Sequence, residues 1–250
     1  MIRVAAVGDL HIGDDGSARW RDALKPVSDD ADLLLLAGDL TRIGATDEAA
    51  AVATALELVS IPMFAVLGNH DYHGGCEREL CRMLAARGVH VLEGTAATLR
   101  VGGTRIGIAG SKGFGGGFAN ACGSDFGEPE MKAFIRHTAA LSGRLQRALA
   151  SLDDVDLRVA LLHYSPIPGT LRGEHLQIYP FLGSHLLGEA VDAAGADLVV
   201  HGHAHAGSEK GTTPGGVSVR NVAQPVIRSA YRVYCLSEHG GVECADPTDR

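Results

Sequence analysis

The sequence has few cysteines, and their spacing argues against a cysteine-based fold. They are odd in number and include no CxxC pair; they are Cys76, Cys81, Cys122, Cys235 and Cys244. Disulfide frameworks use even numbers of cysteines, and thiolate zinc sites usually use close pairs. We therefore expect neither kind of site, and the cysteine content favours a reducing compartment.

Long hydrophobic runs are also lacking. No apolar stretch approaches the roughly 20 residues that a helix needs to span a bilayer. The opening residues, MIRVAAVGDL, contain no long apolar region of the kind found in secretory signals. We expect a cytoplasmic protein without membrane spans.

The chain has no excess of basic residues. Lysine and arginine number 22 against 30 aspartates and glutamates, and the formal net charge is −8. Proteins that bind nucleic acid are usually basic over at least one face, because that face contacts many phosphates. We do not expect a nucleic-acid partner. A small phosphorylated substrate remains compatible, since a metal site supplies local positive charge.

The sequence does contain a series of short apolar runs rich in valine, leucine and isoleucine. Runs this short and continuous predict strands that are buried on both faces. Each is bounded by glycine, aspartate, asparagine or another polar residue, and they cover residues 2–7, 33–37, 63–67, 159–162 and 198–200.

Helical patterns lie between several of these runs, and further strands follow them. Threonine, aspartate and proline near helix starts and glycine after a helix end place the helices at 46–60, 76–88 and 128–152. A hairpin around a Gly-Gly pair and two more strands are predicted at 98–110, 217–222 and 231–236. The pattern predicts a layered α/β fold with one mixed sheet or two, in a single domain spanning residues 1–250.

Polar side chains follow five of the predicted strands at their carboxyl ends. In open α/β sheets the ligand crevice lies at this end. Imidazole and carboxylate groups are common metal ligands, and five separate structural explanations would have to coincide here. The motifs are GDLH with Asp9 and His11, GD with Asp39, GNHD with Asn69, His70 and Asp71, a lone His163, and GHAH with His203 and His205.

This ordered set of motifs resembles the calcineurin-like metallophosphoesterase superfamily. The resemblance covers residues 8 to 205, and nothing in the five motifs departs from the family pattern (DxH, GD, GNHD, H, GHxH). As a combined pattern it is highly specific. It implies a small single-domain, bacterial-type member with a four-layer α/β/β/α sandwich of two mixed sheets flanked by helices.

The resemblance also implies a dinuclear metal centre. Asp39 would bridge two divalent ions; Asp9, His11 and His205 would complete the first site, and Asn69, His163 and His203 the second. Two dications against two carboxylates leave a local charge of about +2, which suits an anionic phosphate. Such a centre hydrolyses phosphoesters by attack of a metal-bound hydroxide. Oxygen and nitrogen ligands without thiolate suit Mn, Fe, Zn or Ni.

Two residues of the GNHD motif are candidate catalytic residues. His70 is not a ligand in the family pattern and is placed to donate a proton to the leaving oxygen or to stabilise charge in the transition state. Asp71 either orients His70 or accepts hydrogen bonds from loop amides, and we favour the orienting role by analogy with carboxylate–histidine pairs.

Other residues carry weaker expectations. We expect His201 to be a buried structural histidine and His73 to be a solvated loop residue. The glycine-rich segment 110–126 is either a lid, with Phe114 and Phe118 covering a substrate, or a surface excursion. Tyr164, Arg172, Asn221 and Gln224 are candidates for the rim of the site, while His90, His137, His175, His185 and His239 are assigned no role.

Three functions compete. The first is hydrolysis of a small phosphodiester or phosphomonoester, and the motifs are shared with the cyclic-nucleotide phosphodiesterase branch. The second is a nuclease, because GDLHIG (8–13) is similar to the opening motif of the DNA-repair nuclease branch. The acidic charge argues against it. The third is a non-catalytic scaffold similar to the retromer subunit with this fold, which would be expected to lack ligands that are all present here.

Overall fold

The computed structural model describes residues 1–13, 16–237 and 241–244. The strands in these ranges are β1 (Ile2–Val7), β2 (Leu33–Ala37), β3 (Met63–Val66), β4 (Val89–Val91), β5 (Thr95–Val101), β6 (Thr104–Ser111), β7 (Gly117–Phe118), β8 (Ala121–Cys122), β9 (Leu157–Leu162), β10 (Leu198–His201), β11 (Lys210–Thr212), β12 (Ser218–Asn221), β13 (Arg232–Ser237) and β14 (Gly241–Cys244).

The α-helices in the same ranges are α1 (Ser17–Leu24), α2 (Val27–Asp30), α3 (Thr46–Ala55), α4 (Asn69–His73), α5 (Glu77–Ala86), α6 (Pro129–Ala150), α7 (Tyr179–Leu182), α8 (His185–Ala194) and α9 (Gln224–Ile227). Two short 3-10 helices cover Pro168–Leu171 and Leu176–Ile178. None of the helices in the described ranges is long and apolar enough to cross a lipid bilayer.

Two six-stranded mixed sheets form the centre of the fold. The first has the order β14-β13-β1-β2-β3-β4, in which β1 to β4 are parallel. The second has the order β11-β12-β10-β9-β6-β5, in which β12, β10, β9 and β6 are parallel. Antiparallel strands pair at the sides of both sheets. With helices flanking both sheets, the predicted α/β/β/α architecture is confirmed.

The sheets pack face to face over a shared apolar core. All five residues of β2 are fully buried, because the strand lies between β1 and β3 with an apolar layer on either side. The same core contains Val159 and Leu161 of the second sheet. A second cluster joins Leu145 and Leu149 of α6 to that sheet's other face. Each fully buried leucine contributes roughly 2 kcal/mol of burial free energy.

The predicted helices exist, but one of them begins without the expected cap. Helix α3 starts at Thr46 and ends at Ala55, and no side chain caps its first turn from the preceding residue. The carboxylate of Glu48 accepts instead from the backbone N–H of Ile43 at 2.8 Å. The helix ends at Ala55, so the predicted end at residue 60 was wrong. Helices α1 and α8 were not predicted from the sequence.

Candidate metal centre

The site lies at the carboxyl ends of five strands, three from the first sheet and two from the second. The first sheet's β1, β2 and β3 lead into Asp9, Asp39 and Asn69. In the second sheet, β9 leads into His163 and β10 into His203. The parallel arrangement within each sheet therefore brings together residues that are far apart in sequence.

Glycines at the strand ends allow the loops to approach each other. A Cβ atom at Gly38, where φ is +82°, would lie 2.6 Å from Nδ1 of His163. A Cβ atom at Gly68 would collide with the carboxylate of Asp39. The absence of a side chain at these two positions is a requirement of the site's geometry.

Four of the predicted ligands have a left-handed backbone conformation. Their φ angles are 59° at Asp9, 43° at His11, 51° at Asp39 and 70° at His203. Such conformations cost of order 1–3 kcal/mol each and persist where the surrounding structure holds them. The strain is concentrated in the residues that the sequence indicated as ligands.

One group of donor atoms, the first cluster, consists of Asp9, His11 and His205. Their ligand atoms lie within 4.8 Å of one another. Nε2 of His205 is 3.0 Å from Oδ1 of Asp9 and 3.5 Å from Nε2 of His11. The carboxylate of Asp9 is fixed by the backbone N–H of His203, which donates to it at 2.9 Å. This arrangement could hold one metal ion.

The second cluster consists of Asp39, His163 and His203, whose ligand atoms also lie within 4.8 Å of one another. Asp39 lies between the two clusters. Its Oδ1 is 3.4 Å from Nε2 of His163, and its Oδ2 is 3.9 Å from Nε2 of His11. The two oxygens of one carboxylate thus face different groups of donors.

The hydrogen bonds of His163 test whether a metal ion fits the second cluster. Its Nδ1 lies 2.8 Å from the carbonyl oxygen of Ala37, which can only accept, so Nδ1–H donates. In the neutral ring Nε2 then carries a lone pair, and it faces Oδ1 of Asn69 at 3.0 Å and Oδ1 of Asp39. Three atoms with lone pairs converge, and a cation between them would satisfy all three. The residues therefore fit the metal.

The charges of the site lead to the same conclusion. Asp9 and Asp39 are 3% and 1% exposed. In the described part of the chain neither carboxylate forms an ion pair with lysine or arginine; their charged partners are histidines. Buried carboxylates without a cation are costly, and two divalent ions would compensate them.

Burial and hydrogen bonding shift the pKa values of His203, His11 and Asp9 toward forms that bind metal, whereas the hydrogen bond with Asp9 raises the pKa of His205. Burial lowers the pKa of His203 to about 3 and also lowers the pKa of His11. Burial opposes ionisation of Asp9, but the hydrogen bond with His205 and nearby histidine charges outweigh it and lower the pKa of that carboxyl. Unprotonated imidazole and carboxylate are the forms that coordinate metals.

His70 borders both clusters, but Asp71 does not orient its ring. Nδ1 of His70 lies 2.6 Å from the carbonyl oxygen of Arg42, to which it donates. The buried carboxylate of Asp71 accepts from the backbone N–H groups of Thr41 at 2.9 Å and Gly68 at 2.8 Å, and from Leu40. The favoured orienting role of Asp71 was therefore wrong, because its oxygens are occupied by the loops that carry Asp39 and Asn69.

His201 has the structural role that the sequence predicted. It is fully buried, its Nδ1 donates to the carbonyl of Gly202 at 2.7 Å, and its Nε2 lies 2.8 Å from Oγ1 of Thr170. Asn221 is also fully buried and donates to the carbonyl of Ala204 at 2.8 Å. Asn221 therefore holds the backbone of the GHAH loop through this hydrogen bond, and it is not an exposed residue at the rim of the site.

The glycine-rich segment 110–126 is largely packed into the fold. Residues 111–113 and 115–118 are buried, and Phe118 packs with Leu171 and Leu182. Phe118 does not cover the site, so this part of the lid hypothesis is wrong. Phe114, by contrast, lines a cavity beside Asn69.

The remaining rim candidates differ in how far they are buried and in their contact with the site. The ring of Tyr164 lies 4.3 Å from that of His203, and burial raises the pKa of Tyr164 to about 12. Arg172 and His73 are exposed, and His239 lies outside the described residues.

Sequence reasoning missed Lys112, which is 8% exposed and lines the same cavity as Phe114. A single lysine within a glycine-rich segment that follows an apolar run was the signal available for it.

Comparison with known proteins identifies the family. Residues 2–207 match the calcineurin-like phosphoesterase family, and this chain belongs to it. Members of this family are hydrolases that use a dinuclear metal centre and act on small phosphorylated substrates. None of the curated proteins matches the sequence significantly.

Solved structures share the fold at low sequence identity. Phosphopantetheinyl hydrolase (PptH) from Mycobacterium tuberculosis is 18% identical with a TM-score of 0.68, over 92% of this chain and 94% of that one. TT1561 of Thermus thermophilus is 20% identical with a TM-score of 0.63, over 98% of each chain. The NAD nucleotidase NadN of Haemophilus influenzae is 16% identical with a TM-score of 0.53, over 98% of this chain and 55% of that one.

Proposed function

We propose that this chain is a dinuclear metal-dependent phosphoesterase that hydrolyses a small phosphodiester or phosphomonoester. The observation that carries the proposal is the position of Asp39, whose two oxygens face His163 at 3.4 Å and His11 at 3.9 Å. A carboxylate in this position suits a bridge between two metal ions. A dinuclear centre of this kind is suited to phosphoryl chemistry.

Seven residues would hold the metal ions. Asp9, His11 and His205 would bind one ion, Asn69, His163 and His203 the other, and Asp39 both. Their oxygen and nitrogen donors suit Mn, Fe, Zn or Ni. When bound, two such ions act as Lewis acids toward the phosphoryl oxygens and activate a water molecule.

His70 would hold and transfer the proton that the leaving oxygen needs. Its Nδ1–H donates to the carbonyl of Arg42, so Nε2 is the atom that can carry a proton toward the site. The side chain is 43% exposed, which leaves it within reach of a substrate. Its backbone N–H donates to Oδ1 of Asp39 at 2.9 Å, which fixes the residue beside the proposed bridge.

The net charge and the free cysteines of the chain support a small substrate and a reducing compartment. The net charge of −8 counts against a nucleic-acid partner. Cys76, Cys81, Cys122 and Cys235 are free thiols. We therefore expect the protein to act on a small phosphorylated molecule in the cytoplasm.

Turnover of two model substrates tests the proposal. Bis-p-nitrophenyl phosphate and p-nitrophenyl phosphate would be compared with the Mn²⁺-loaded protein, with Asn69→Ala as the control. Hydrolysis of either substrate that is lost in the control supports the proposal, and the preferred substrate decides between diesterase and monoesterase. Absence of turnover of both by a fully metallated protein would contradict it.

A further inference from the structure

A cavity of about 400 Å³ opens beside the second cluster. Asn69 and Tyr164 line it on the side of the metal centre. Oδ1 of Asn69 lies 3.0 Å from Nε2 of His163. The ring centroid of Tyr164 lies 4.3 Å from that of His203. A group bound in this cavity would therefore be adjacent to the proposed reaction centre.

Lys112 provides a positive charge within this cavity. Its ammonium nitrogen lies 5.1 Å from the ring centroid of Tyr72, 4.8 Å from that of Phe114 and 5.3 Å from that of Tyr164. Aromatic faces stabilise a cation but provide no lone-pair acceptor in line with its N–H bonds. In the described part of the chain the ammonium makes no hydrogen bond and no ion pair within 4 Å, although the charges of Glu93 and Asp39 attract it. Its three donors are thus available to a ligand.

Two further basic side chains line the same cavity. His137 packs its ring edge-on against Phe114 at 4.8 Å, and Arg144 lies over the backbone of Gly94, where a Cβ would be 3.0 Å from that of Arg144. Burial lowers the pKa of His137, and the charges of Lys112 and Arg144 lower it further. The uncharged form of His137 is therefore favoured, and Lys112 and Arg144 carry the positive charge of the cavity.

One carboxylate among the lining residues offsets this charge only in part. Glu93 accepts from the backbone N–H of Leu67 at 3.1 Å, and the backbone amide of Lys112 also stabilises its ionised form. The charges of Lys112 and Arg144 stabilise the ionised carboxylate as well. Two cationic side chains thus face a single carboxylate among the lining residues, and an anionic group bound in the cavity would balance the second positive charge.

We propose that this cavity binds the organic part of the substrate, and that this part carries a second anionic group, a carboxylate or phosphate, which Lys112 and Arg144 contact. The rings of Tyr72 and Phe114 would pack against its apolar or aromatic body. The proposal rests on the proposed function, which places the scissile phosphate at the adjacent metal centre. It defines the substrate class as phosphoesters with two separated anionic groups.

Two probes that differ in a single charge test this inference. The affinities of 4-hydroxybenzoate and 4-hydroxybenzamide for the purified chain would be measured by NMR titration, which requires no activity. The same comparison would be made by kcat/KM for 4-carboxyphenyl phosphate and 4-carbamoylphenyl phosphate. The variants are Lys112→Met, which keeps an apolar side chain among the rings, and Arg144→Met, with Arg147→Met on the same helix as the matched control.

We expect the charged probe to bind at least about tenfold more tightly than the amide, as for a hydrogen bond to a charged group. In Lys112→Met that ratio should fall toward one, and in Arg147→Met it should not change. Equal binding of both probes by the wild-type chain overturns the proposal, as does an unchanged ratio in both Lys112→Met and Arg144→Met. Charge-dependent binding without hydrolysis of any phosphoester would retain the anion site and reject the proposed function.

Discussion

The Nδ1 atom of His70 lies 2.6 Å from the carbonyl oxygen of Arg42, and this hydrogen bond fixes the direction of the imidazole ring. A carbonyl can only accept, so Nδ1 carries the proton of the neutral ring and Nε2 carries its lone pair. Nε2 is therefore the atom that can exchange a proton on the side of the metal centre, where it lies 3.9 Å from Oδ2 of Asp39.

His70→Ala should retain both metal ions and lower kcat by roughly 10²-fold, because it removes a proton donor without removing a ligand. Metal content by plasma mass spectrometry and turnover of the better p-nitrophenyl substrate measure the two effects separately. His73→Ala, at the exposed end of the same helix, should change neither. Full activity of His70→Ala would remove this residue from the mechanism.

Asn69→Ala and His163→Ala should instead lose metal and activity together. Each removes one of the lone pairs that converge in the second cluster, and we expect metal affinity to fall at least about tenfold. Titration of the metal-free protein with Mn²⁺ gives the affinity. His175→Ala, an exposed histidine, is the control. Unchanged affinity in both variants would contradict the assignment of the second cluster.

Gly68→Ala should disturb the centre through a single methyl group. The added Cβ would collide with Oδ1 of Asp39, so the loop or the carboxylate must move. We expect lower metal occupancy and a lower kcat, measured as above. Gly103→Ala is the matched control, because no atom lies within 4 Å of its Cβ position and its backbone is not left-handed. If both variants kept full occupancy, the close approach at Gly68 would have no functional importance.

Asp71→Asn should lower stability even without metal. The carboxylate accepts from three backbone N–H groups and from the hydroxyl of Thr41, and the amide NH₂ of asparagine would face donors. We expect a loss of about 2 kcal/mol in the free energy of unfolding. Urea unfolding with chelator present measures it. Asp125→Asn, at an exposed ion pair with Arg136, should change stability by less than about 0.5 kcal/mol.

The strand-end residues show why so much of the candidate site could be predicted from the sequence. Asp9, Asp39 and Asn69 each follow a short apolar run, and parallel strands place their carboxyl ends at one edge. The α/β class follows from the same runs. Such a prediction needs only local patterns and the topology that they imply.

The cavity around Lys112 could not be predicted in this way. Its lining comes from α4, from α6 and from the segments that follow β4, β6 and β9, and no sequence spacing relates Lys112 to Tyr72 or Arg144. For Asp71 the sequence offered both roles and we favoured the wrong one, because the choice between orienting His70 and holding loop amides depends on where three loops lie relative to one another. Both features depend on tertiary packing.

The hydrogen bond between His205 and Asp9 joins residues 196 positions apart in the chain. During synthesis at about 5–20 residues per second, Asp9 would precede its partner by roughly 10–40 seconds. Throughout that interval the first cluster lacks a donor, however well the first sheet has formed. Metal binding by the complete first cluster would therefore occur only after residues up to His205 have been synthesised, late in translation.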